Sequence, residues 1–185
     1  MKEFTIDKGF LNNKKSFLTI DENAVTLDNT VLRKEEITGI RYGIHFIRGY
    51  MSTIGREYQI FIKTVDNKEI KISFRLFYGR KLKEKHLLFC TIIDTLWHYF
   101  FYGIVKNYLD KYKKDREIVV SGIKIFSDKI SFANKEIPFE QLRTKTYHHY
   151  FILFSEDDHY TNKMLYYLKD QDAVILLEIL NQIKK

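Results

Sequence analysis

The sequence predicts an α+β protein in which one unit, a series of short antiparallel strands closed by a helix, occurs twice. The first observation is an internal repeat: residues 17–42 (FLTIDENAVTLDNTVLRKEEITGIRY) lie on residues 122–147 (GIKIFSDKISFANKEIPFEQLRTKTY) without a gap, at a constant offset of 105. Leu18, Ile20, Val25, Leu27, Leu32 and Ile37 fall on Ile123, Ile125, Ile130, Phe132, Ile137 and Leu142, and Asn29, Glu35 and Tyr42 recur as Asn134, Glu140 and Tyr147. The second observation is the period of two within each block, which marks strands with one buried face. The third is the change to a helical period after each strand series, once from about Arg80 and once from about Asp170.

Taken in order, Leu18 and Ile20, a turn at Asp21, Glu22 and Asn23, then Val25 and Leu27 form a hairpin, repeated by Ile123 and Ile125, Ser127 and Asp128, then Ile130 and Phe132. Beyond the matched block the offset falls to 92, placing Tyr58, Ile60 and Ile62 on Tyr150, Ile152 and Phe154. The first copy therefore carries about 13 extra residues at 43–57 (GIHFIRGYMSTIGRE), expected to lengthen two strands around a glycine-bearing loop. A second hairpin turns through Val65-Asp66-Asn67-Lys68 in the first copy and through residues 156–162 in the second. The second closing helix is expected to be capped by Asp170 or Asp172 and to bury Ala173, Val174, Leu176, Leu177, Leu180 and Ile183. The first, near residues 80–114, is about 50 Å long at 1.5 Å per residue. It is expected to bend near Gly103 or to touch both copies. Residues 1–114 and 115–185 are the expected domains.

Residues 87–105 (LLFCTIIDTLWHYFFYGIV) are long enough to cross a hydrocarbon layer of about 30 Å. Glu84, Thr91, Asp94, Thr95, His98 and Tyr102 nevertheless fall on one stripe at 100° per residue, the pattern of a packed helix with one wet edge. A lone cysteine, Cys90, and an N-terminal stretch without an apolar run point to a reducing, cytoplasmic setting. The net charge of +7 is uneven: residues 1–114 hold 21 Lys/Arg against 13 Asp/Glu, and residues 115–185 hold 10 against 11. The first copy is thus the one suited to an anionic partner.

The order of strand hairpin, a strand entry LRKEEITGI at 32–40, a hairpin with Asp-Asn-Lys at its tip (TVDNKEIKI) and a closing helix resembles the bacterial pleckstrin-homology-like (PH-like) domains, in tandem. The resemblance implies in each copy a bent antiparallel sheet, partly closed as a barrel, followed by a C-terminal helix. Members of such a fold bind lipid headgroups, peptides or other subunits, so the fold alone assigns no ligand.

The basic run Arg75, Arg80, Lys81, Lys83 and Lys85, with Lys14 and Lys15 before the first hairpin, forms the candidate anion-binding set. Cations in a first helical turn oppose the helix dipole, which makes the run mildly unfavourable without a partner. Phe46, Ile47, Tyr50, Met51 and Ile54 make the insertion more apolar than a solvated loop, so it either packs within the protein or meets a partner. His148, His149 and His159 with Glu156, Asp157 and Asp158 are a metal-type grouping; adjacent strand histidines face opposite ways, and no metal is expected. Cys90 sits in the apolar body of a helix, and no glycine-rich loop opens a helix. No catalytic residue and no cofactor are therefore expected. The leading expectation is a non-enzymatic binding or scaffolding protein acting through protein contacts or self-association. The alternative is peripheral binding to a membrane or other anionic ligand through the basic first copy; nucleic acid is not the expected partner.

Overall fold

The computed structural model describes residues 1–7 and 15–184, so Lys14 lies outside the described residues. The protein is mixed α+β with antiparallel sheets, and it divides into two compact units, Met1–Gly103 and Ile104–Lys185.

In the first unit β1 (Lys2–Asp7), β2 (Lys15–Ile20), β3 (Ala24–Leu27) and β4 (Thr30–Arg33) form a four-stranded meander. After one 3-10 turn, β5 (Ile37–Arg48), β6 (Thr53–Thr64) and β7 (Glu69–Phe77) form a three-stranded one, and β1 also lies next to β7. Strand β1 was not foreseen, because only Phe4 and Ile6 mark its inner face and charged residues alternate with them. Helix α1 (Leu82–Leu96) then runs through a π turn at Trp97–Phe101 into α2 (Tyr102–Asp115). The second unit repeats the order. Strands β8 (Glu117–Val120), β9 (Ile123–Phe126), β10 (Lys129–Phe132) and β11 (Lys135–Pro138) form four strands, β12 (Leu142–Thr146), β13 (Tyr150–Ser155) and β14 (Asn162–Tyr166) form three, and α3 (Ala173–Ile183) follows.

The strand registers repeat with the sequence. Ile20 pairs with Val25 and Val25 with Leu32; Ile125 pairs with Ile130 and Ile130 with Ile137. The connecting hydrogen bonds repeat too. Lys34 N–H donates to Asn23 O as Phe139 N–H donates to Asp128 O, and Val65 N–H donates to Glu36 O as Glu156 N–H donates to Gln141 O. The last pair corrects the second offset from 92 to 91. Ile60, Ile62 and Thr64 are buried, and their counterparts are Phe151, Leu153 and Ser155, also buried. A slip of one residue exchanges the two faces of a strand. The Tyr58/Tyr150 match misled because it joins two tyrosines on opposite faces: Tyr58 is buried with Ile60 and Ile62, whereas Tyr150 lies on the other face of β13 from buried Phe151 and Leu153.

The core of the first unit joins Leu18, Ile20, Val25, Ile40, Ile60, Ile62, Ile72 and Phe74 to Phe89, Ile92 and Leu96 of α1. Phe89 lies 5.0 Å from the Tyr58 ring and 6.5 Å from that of Phe74, and Trp97 Nε1 donates to the Tyr42 hydroxyl at 3.1 Å. The helical stretch Leu82–Asp115 is long and apolar enough to cross a membrane, and 44% of its most apolar window is buried inside the protein. Its wet edge differs from expectation. Thr95 is buried and returns its hydroxyl to Thr91 O, whereas Leu87 is exposed. The helix continues through Gly103, and its irregularity is the π turn, which lets the consecutive Phe100 and Phe101 both turn inward.

In the second unit α3 buries Ala173, Val174, Ile175, Leu176, Ile179 and Leu180, and Leu177 and Ile183 are only half-buried. Neither expected aspartate caps it through its side chain. Asp172 precedes the helix in a left-handed conformation, and the Asp170 carboxylate accepts instead from Tyr166 N–H at 2.6 Å.

Candidate functional site

The 43–57 insertion extends β5 and β6 into a long hairpin, as expected, with a turn closed by Gly49 N–H to Ser52 O at 2.8 Å. Strand β7 follows this extension: Gly55 pairs with Phe77, and Tyr78 N–H donates to Ile54 O at 2.9 Å. The β5–β6 turn and the β7–α1 connection therefore form one end of the first unit. Gly55 is required there, because a Cβ would stand 2.6 Å from Leu76 O and 2.9 Å from the Phe77 ring.

Large apolar side chains are fully displayed on this end. Tyr50 is 102% and Met51 91% exposed, Tyr78 77% and Leu87 68%. Phe46, Ile47 and Ile54 are half-buried beneath them, with the Arg56 guanidinium 5.1 Å from the Phe46 ring centre. The insertion thus splits the expectation in two. Its stem packs, and its tip is presented.

The same end gathers positive charge. Arg48, Arg56, Arg75, Arg80, Lys81, Lys83 and Lys85 belong to it, with Glu57 and Glu84 the two carboxylates of segments 45–57 and 75–87. Lys81 meets Glu84 at 3.5 Å across solvent, a pair worth little. Lys85 Nζ lies 5.8 Å from the Phe74 ring centre. Of the other predicted cations, exposed Lys15 stands on β2 in the four-stranded sheet, opposite Asp7, and is not part of this end. Sequence spacing alone missed Arg48 and Arg56, because they join the basic run only through strand pairing.

The connection is also strained. Tyr78, Gly79 and Lys81 have φ of 52°, 68° and 56°. Left-handed geometry is free for glycine but costs a bulky residue about 1 kcal/mol or more. Here it turns Tyr78 outward and starts α1 without a side-chain cap.

On the outer face of the same sheet Glu57 is buried between Lys71 Nζ and Arg75, each at 3.3 Å. Burial pushes its pKa up, but a hydrogen bond from Gln59 and the charges of Lys71 and Arg75 prevail, and the carboxyl titrates below its ordinary range. On the inner face Cys90 Sγ lies 3.7 Å from His86 Nε2, yet burial and the nearby Asp94 raise the thiol pKa. That is the opposite of an activated nucleophile.

In the second unit the corresponding sheet shows a different outer face. Tyr150, Ile152, Phe154, Met164 and Tyr166 share it by strand register with exposed Arg143 and Lys145 of β12, and Tyr147 stacks on Tyr150 at 4.8 Å. His148 and His149 are exposed in the β12–β13 loop, and His159 lies 5.9 Å from the Phe154 ring. Among the described residues no group of three or more His, Cys, Asp or Glu is placed to hold a metal ion. No protein-family model, curated protein or solved structure matches this chain.

Proposed function

We propose that the protein is a non-enzymatic binding protein of two PH-like units, and that the hairpin end of the first unit attaches it peripherally to an anionic lipid surface. The repeated order of four strands, three strands and a helix supports the PH-like reading. The observation that carries the function is the combination at one end of fully exposed Tyr50 and Met51 with seven cations and two acids, of which Glu57 is buried against Arg75. Tyrosine is favourable at the headgroup level, and each Lys or Arg near an anionic leaflet contributes about 1 kcal/mol. Either signal alone is weak, and together they make reversible binding.

Sedimentation of the full chain with vesicles of phosphatidylserine and phosphatidylcholine tests this. Expected is binding that weakens with salt, disappears when Arg80, Lys81, Lys83 and Lys85 become Glu, and falls severalfold in Tyr50→Ser/Met51→Ser. Absence of binding at low salt, or equal binding to pure phosphatidylcholine, would sink the proposal.

The aromatic and apolar outer face of β13 and β14 favours a second reading, self-association, since a two-fold contact needs only one self-complementary patch. A dimer in light scattering at tens of micromolar that becomes monomeric in Ile152→Lys supports it; a wild-type monomer under those conditions removes it.

A further inference from the structure

The second unit contains a groove of about 770 Å³ between the last turns of α2 and α3 and the connection from β11 to β12. Its walls are apolar, from Leu109, Tyr112, Phe139 and Ile183. Its polar lining holds three cations, Lys113, Arg143 and Lys184, beside Ser127 and Gln182, with Glu140 the one carboxylate. The cations converge, because Arg143 Nη1 donates to Leu142 O at 3.2 Å and Lys184 Nζ donates to the same carbonyl oxygen.

The ordinary explanation of a lysine here is that it answers the negative end of a helix dipole. That accounts for Lys113 and for the position of Lys184, but not for the second cation on one carbonyl. Arg143 is held in place by Glu140 O at 2.8 Å and by the Glu156 carboxylate outside the groove. Lys184 is thereby kept beside a like charge. Partial burial, and then the charge of Arg143, lower its pKa despite the helix terminus. An anionic oxygen placed between the two would relieve this repulsion with charge-assisted hydrogen bonds.

We propose that this groove binds a small amphipathic anion, a carboxylate or phosphate head on an apolar body, with Lys184, Arg143 and Lys113 at the head and Tyr112, Phe139 and Ile183 along the body. The pattern of apolar walls with a few convergent polar groups is that of small-molecule sites. The site is separate from the hairpin end, and either can fail without the other.

The test uses the full chain and four probes: octyl phosphate, octanoate, octanol and inorganic phosphate. Titration followed by amide chemical shifts is expected to move Lys113, residues 139–143 and residues 182–184 with octyl phosphate or octanoate. The comparison of these two tells a phosphate head from a carboxylate. Octanol and inorganic phosphate are expected to bind at least about tenfold more weakly, each lacking half of the recognition. Lys184→Gln is expected to weaken the amphipathic anion by about tenfold, and bound anion to raise the pKa of Lys184 toward its ordinary value. Tyr50→Ser/Met51→Ser should leave this binding unchanged. Shifts elsewhere in the chain, equal binding of octanol, or full binding by a folded Lys113→Gln/Lys184→Gln variant would overturn the assignment.

Discussion

Glu57 is the side chain on which pH acts with the clearest sign. Its folded pKa is depressed, so the stability it contributes is present above the ordinary carboxylate pKa and is lost as pH falls through the lowered folded value. Glu57→Gln should therefore cost about 1–3 kcal/mol in urea denaturation at neutral pH, with the difference from wild type shrinking below about pH 4. A constant difference at all pH values would mean that shape and not charge matters there. Tyr58 makes the reverse case. Its buried hydroxyl makes no well-aligned hydrogen bond, and burial raises its pKa although the charge of Arg56 and a weak hydrogen bond from that side chain lower it. Tyr58→Phe should leave stability unchanged or raise it by up to about 1 kcal/mol. Gly55→Ala should cost about 1–3 kcal/mol, since the backbone carbonyl of Leu76 cannot yield as a side-chain end would.

The β5–β6–β7 extension and the β7–α1 connection together make the display, and the connection holds left-handed residues that folding alone does not favour. Replacing Tyr78 by Gly removes both the strain and an exposed ring. The urea midpoint should rise or stay level while binding to phosphatidylserine vesicles falls, a division expected of a surface kept for contact and not for stability. A fall in both would assign Tyr78 a packing role. How much of these elements was legible follows from their periods. The alternation of β2–β4 and β9–β11 is short and regular, and their registers follow the repeat residue by residue. The face assignment of β13 slipped because it rested on matching Tyr58 with Tyr150, and a tyrosine packs on either face of a sheet. The wet edge of α1 was misread at Thr95, because a threonine that hydrogen-bonds its own helix can be buried as an apolar residue is.

The two compact units differ in what they expose although they share their strand order. The first has a charged outer sheet face and a cationic end, the second an aromatic outer face and a cation-lined groove. If each unit unfolds as its own cooperative block, Phe151→Ala should cost about 3–5 kcal/mol and remove hydrogen-exchange protection from the core strands of the second unit while those of the first retain theirs. Loss in both would show one cooperative block. Composition and period were enough for the α+β class, the repeated strand order, the longer first hairpin and the helix after each strand series, because these depend on neighbours in sequence with a repeat of 2 or 3.6 residues. The basic run was legible as a run for the same reason. Its completion by Arg48 and Arg56, the outward turn of Tyr78, the burial of Glu57 between two cations and the meeting of Arg143 with Lys184 at one carbonyl were not. Those arrangements join residues distant in the chain, and their distances are set by strand pairing and helix packing, which no local pattern encodes.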